Sequence, residues 1–173
     1  MKKVFLSLFI ACLALSTMAQ KGPVDEMFDK YSDRQGFTVV TISGRMFSMF
    51  SDKNENNKDA GDIIGKLKSI QILSVEDSTL NKDINFYKEL SKKLNMSYYE
   101  ELMVLKSGPD ITKFLIRQKG DVISELLVLT GGPGGNSIIS IKGDLNLKTL
   151  SEISKDVGIE QLESLDNIDK KEK

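Results

Sequence analysis

The chain has 173 residues, 24 Lys and Arg against 25 Asp and Glu, and a formal net charge of −1. It contains no histidine, no tryptophan and a single cysteine, Cys12. Without imidazole there is no side chain whose unperturbed pKa lies near neutrality, which removes Ser-His-Asp triads and histidine-ligated metals. Acids and bases are interspersed, so no basic stripe offers itself to nucleic acid.

Residues 1–19 have the layout of a secretory signal peptide. Lys2 and Lys3 precede an apolar run from Val4 to Leu15, and Thr17-Met18-Ala19 then offers small residues at the positions a signal peptidase reads. The run is too short for a permanent transmembrane anchor. Cys12 sits inside the run instead of closing it, so a lipid anchor there is the less favoured reading and cleavage after Ala19 the favoured one. The mature chain is then free of thiols, which excludes thiolate nucleophiles, thiolate zinc sites and thiol redox chemistry.

The mature chain has the size of one domain, 20–163, with a charged tail over 164–173. Pro23 to Gln35 predicts a helix, with Asp25 and Glu26 in its first turn and Gly36 as its stop. Phe37 to Ser43 (FTVVTIS) predicts a strand, and Arg45 to Phe50 a short apolar helix. A polar loop over 51–59 leads into a helix over 58–67, then a strand from Ser69 to Val75. Leu80, Ile84, Tyr87, Leu90 and Leu94 fall at steps of three and four, which predicts a helix over Leu80–Leu94.

From Glu101 the texture changes. Four predicted strands, at 101–106, 111–118, 122–130 and 137–142, are separated by Gly108-Pro109, Gly120-Asp121 and Gly131–Gly135, the pattern of an antiparallel meander. A helix over 145–157 closes the domain. The class is α+β, a mixed, largely antiparallel sheet with helices mainly on one face. The first two strands are joined through helices, which leaves a parallel pairing open for them. Alternation along 111–118 predicts a wet face there, and the unbroken Leu126–Leu129 predicts a central strand.

Signatures of known chemistry fail residue by residue. Asp52, Asn54 and Asn56 begin a calcium-loop pattern, but Asn57 stands where glycine is needed and Ile63 where a bidentate glutamate should close the shell. Gly131–Gly135 does not continue as G-x-G-x-x-G into a helix, so it reads as a flexible hairpin tip. Gly61–Leu67 is one residue short of a phosphate loop and lacks its Ser or Thr. Neither G-x-S-x-G nor S-x-x-K occurs. Glu100-Glu101 and Asp59 with Asp62 are the adjacent carboxylates that acid–base work could use. Asn95 heads an Asn-Met-Ser sequon, which matters only in a eukaryotic cell.

One cluster stands out. Met46, Phe47, Met49 and Phe50 combine flexible thioethers with aromatics on a short helix, the composition of an adaptable contact surface as well as of a core plug.

In order along the chain, Gly44-Arg45-Met46-Phe47, Tyr99-Glu100-Glu101-Leu102-Met103, Ile123–Leu129 and Ile141-Lys142-Gly143-Asp144-Leu145 give the sequence its family likeness. It resembles the domain-of-unknown-function 4252 family. That resemblance implies a small secreted or periplasmic bacterial protein, and it brings no catalytic residues. The sequence thus predicts an exported envelope protein without cofactor, acting as a non-catalytic module that binds another envelope protein or a surface component. A carboxylate-based glycan hydrolase and a sensory partner of an envelope signalling system are the alternatives.

Overall fold

A computed structural model describes residues 21–51, 65–120 and 122–146 of the chain. The leader at 1–19, the calcium-like pattern at 52–57, Asp59 and Asp62, most of the predicted helix at 58–67, the closing helix beyond 146 and the tail at 164–173 lie outside the described residues. The elements in chain order are α1 (Pro23–Tyr31), β1 (Phe37–Ser43), α2 (Gly44–Ser51), β2 (Leu67–Val75), α3 (Phe86–Ser91), β3 (Glu100–Ser107), β4 (Asp110–Lys119), β5 (Val122–Gly131) and β6 (Ser137–Leu145). Short 3₁₀ turns at Leu80–Lys82 and Met96–Tyr98 flank α3.

All six strands form one antiparallel sheet in the order β1-β2-β6-β5-β4-β3. The last four strands are the predicted meander, and β5 and β6 are the centre of the six-strand sheet. The parallel pairing left open for the first two strands is not adopted. β1 runs antiparallel to β2 from Phe37 opposite Val75 to Ser43 opposite Ser69, and β2 then joins the meander beside β6.

Strand alternation sorts the apolar residues onto two faces. On the first, Leu73, Leu115, Leu127, Leu129 and Ile138 meet Val24, Met27, Phe28 and Tyr31 of α1 and Phe86 and Leu90 of α3. The aromatic rings of Tyr31, Phe37 and Phe86 pack there with centroids 4.6–6.3 Å apart. On the second face, Ile70, Phe114, Leu126, Val128 and Ile141 form another buried cluster, onto which Phe47 of α2 packs. Of the helices given above, α1 and α3 therefore share one face, and α2 takes the other.

Several predicted boundaries change. α1 stops at Tyr31 because a turn, Arg34 N–H to the Tyr31 carbonyl, takes over, and Gly36 at φ 84° redirects the chain into β1. Leu67 opens β2 instead of closing a helix, and its side chain is buried in the second cluster. The long helix over 80–94 is broken. Asn85 is extended (φ −146°, ψ 97°) and its side chain accepts the Lys88 N–H at 2.8 Å, so it caps a new helix. The wet face on β4 is also corrected: Leu115 is buried in the first cluster, and Lys113 is half-buried. Leu145 belongs to β6.

Candidate functional site

Three places concentrate polar or exposed apolar chemistry. The first is the corner where β1 turns into α2. Gly44 lets this turn pack closely on β2, since a Cβ there would lie 3.0 Å from the Lys68 carbonyl oxygen. α2 inherits its orientation from β1, and Phe47 is drawn into the second cluster beside Ile42 and Ile72. That packing turns Met46 and Met49 outward, 47% and 62% exposed. Val40, on the same sheet face as Ile42, is 40% exposed. Of the four clustered residues, Phe47 thus serves the core, Met46 and Met49 present a surface, and the side chain of Phe50 lies outside the described residues.

The second place was not found in the sequence. Glu125 of β5 is 1% exposed. Its carboxylate accepts hydrogen bonds from the Tyr99 hydroxyl at 2.9 Å and the Ser140 hydroxyl at 2.8 Å, and it pairs with the Arg117 guanidinium at 2.9 Å. Arg117 and Lys142 are its register neighbours on β4 and β6, and Lys142 turns to Asp25 of α1 at 3.0 Å. Burial, and next the Glu125 charge, push the Tyr99 hydroxyl well above the ordinary tyrosine range. Both carboxylate oxygens of Glu125 face donors that hold them in place. The cluster ties β4, β5 and β6 to Tyr99, the residue just before β3, and engages each of its members in a hydrogen bond or ion pair. An acid interrupting the predicted central strand was the signal available for it.

The third is the turn Gly132–Asn136. It is packed, which corrects the reading of Gly131–Gly135 as a flexible tip. Asp110 accepts the Gly134 N–H at 2.8 Å, and a Cβ on Gly132 would stand 2.1 Å from its carboxylate and 2.8 Å from its Cα. Buried Asn136 accepts the Phe86 N–H at 2.8 Å and donates to the Asn81 side chain and to the carbonyls of Ile84 and Gly132 at 3.0–3.1 Å. Glycine is required here for close approach.

Of the adjacent carboxylates, Asp59 and Asp62 lie outside the described residues, and Glu100 and Glu101 take separate partners. Glu100 accepts from Gln118 at 2.8 Å and Glu101 pairs with Lys113 at 2.6 Å. Among the described residues, one open cleft is lined by Tyr87, Glu101, Lys106 and Lys113 and another by Asn81, Asp110, Thr130 and Asn136. Each has a single carboxylate, whereas glycosidases place two across the scissile bond. Asn95 caps the 3₁₀ turn by accepting the Ser97 N–H at 3.1 Å. Among the described residues no helix is long and apolar enough to cross a membrane.

The described residues form an antiparallel α+β domain with buried polar groups engaged in packing and with thioethers exposed at one corner. The family itself is given by comparison: the model for the domain of unknown function DUF4252 matches residues 31–153, and the chain belongs to that family. Comparisons with curated proteins and with solved structures returned no match.

Proposed function

We propose that the chain is exported and works in the bacterial envelope as a non-catalytic interaction module, with Met46 and Met49 of α2 as the heart of its contact surface. The observation that carries this reading is the exposure of both thioethers on a helix whose third apolar residue, Phe47, is anchored in the core. A firmly seated helix presenting flexible, polarisable side chains suits an apolar patch on another protein or surface component. The leader-like residues 1–19 support export. The absence of histidine and the full engagement of Glu125 support binding over turnover.

The test is photo-crosslinking in intact cells with a photoreactive residue at position 49, followed by mass spectrometry of the adducts. A discrete envelope component should be captured at position 49 and not at position 105 on the opposite sheet edge. Turnover of a glycan by the purified protein would replace this reading with the hydrolase alternative.

A further inference from the structure

Both outer strands of the sheet lack a strand partner on one side among the described residues, and they are built differently. β3 carries Glu100, Glu101 and Lys106, and its register shifts between Glu101 and Met103. Charges and bulges are the devices that keep an edge from pairing with another chain. β1 has neither. Its seven residues FTVVTIS include no charge and no proline, and it follows β2 residue for residue without a shift.

Register makes the contrast sharper. One row of side chains crosses the whole sheet on its second face: Val40, Ile72, Ile139, Val128, Phe114 and Met103. Ile139, Val128 and Phe114 are buried, but the row ends at Val40, which is 40% exposed. On one side of it runs a row of hydroxyls, Thr38, Ser74, Ser137, Thr130 and Thr112, and on the other an apolar row from Ile42 through Ile70 and Ile141. An apolar row that stops at an uncharged, unbulged edge is a sheet cut short.

We propose that β1 pairs antiparallel with β1 of a second copy of this chain, about a two-fold axis through Val40. In that register Val40 faces its own counterpart and continues the apolar row into the second sheet. Thr38 faces the counterpart of Ile42, and Val39 that of Thr41, so β-branched side chains meet on both faces. The interface is isologous, closes on itself and sets no like charges opposite each other. A second copy is the occupant because the strand is self-complementary about its midpoint. The methionines of α2 take no part in the pairing.

The test uses the full chain carrying Cys12→Ser, so that an added cysteine is the single thiol. Directly opposed residues in an antiparallel pair have Cα atoms about 4.5–5.5 Å apart, within disulfide reach. On mild oxidation Val40→Cys is expected to convert to a covalent dimer, while Leu105→Cys on the β3 edge stays monomeric. Sedimentation should give twice the monomer mass for the parent and the monomer mass for Val40→Lys. A parent that remains monomeric up to its solubility limit would overturn the proposal. So would a Val40→Cys chain that fails to crosslink, or a dimer that persists in folded Val40→Lys. Should Val40→Lys fail to fold, the parent mass and the cysteine pair decide. All of this is read on purified protein, so its failure leaves the envelope-partner reading standing, and an empty crosslink at position 49 leaves the dimer standing.

Discussion

Glu125 and Arg117 face each other across β5 and β4 at 2.9 Å, one with its side chain 1% exposed and the other 47%. The pair is lopsided: the acid depends on the base far more than the base on the acid. Removing Arg117 leaves a buried carboxylate with the Tyr99 and Ser140 hydroxyls as its remaining donors among the described residues. Arg117→Ala is therefore expected to destabilise the domain by about 3 kcal/mol, the range for breaking a buried pair. Glu125→Gln, which keeps shape and removes the charge, should cost less. Urea unfolding of the two variants checks the order, and equal losses would refute it.

Asn136 is the keystone of the β5–β6 turn. Asn136→Ala strands the Phe86 N–H and three acceptors, and about 2–4 kcal/mol of stability should go with them. Exchange of the Phe86 amide, followed by NMR, should accelerate together with that loss. Gly132→Ala should be similarly damaging because its Cβ would meet Asp110, whereas Gly135→Ala, which meets nothing within 4 Å, should stay within about 0.5 kcal/mol of the parent.

α1 and α3 are joined by a titratable contact. Glu89 accepts from the Tyr31 hydroxyl at 2.8 Å and from Lys30. Burial alone would raise the Glu89 carboxyl, but the hydrogen bonds from Lys30 and Tyr31 outweigh it and hold the group below the ordinary glutamate range. A carboxyl depressed on folding stabilises above its unfolded pKa, about 4.3, and that stability is lost as pH falls through the folded value. Tyr31 is raised, first by burial, so its contribution is complete below about pH 10 and is lost above it. Thermal melts across pH should show both limbs, and Glu89→Gln should flatten the acid one.

Tyr99 and Tyr98 are neighbours in sequence and opposites in environment. Tyr98 is 67% exposed, while Tyr99 is half-buried and donates to Glu125. In a spectrophotometric titration Tyr99 should ionise only well above the ordinary tyrosine range. Tyr99→Phe should remove that late component.

Much of the architecture was legible because periodicity reports burial directly. The four-strand meander, the β1 strand and the short α2 helix all follow from local pattern and turn residues. The break at Asn85 was hidden because Leu80, Ile84, Tyr87, Leu90 and Leu94 keep a helical stripe across it; the capping asparagine was the competing signal. The direction of β1 against β2 depends on tertiary docking that no local pattern encodes. Glu125 was missed for a related reason, since its partners come from two other strands and from Tyr99 ahead of β3. For the contact surface, composition located the cluster, but only packing divides Phe47 from Met46 and Met49.

If α2 is a contact helix on a fold that does not need its exposed methionines, then Met49→Asp separates binding from folding. The variant is to be measured for stability by urea unfolding and for partner capture by crosslinking in intact cells. Its unfolding midpoint should stay close to the parent's while the captured component disappears. A folded Met49→Asp protein that captures the same component at parental yield would rule out α2 as the contact surface.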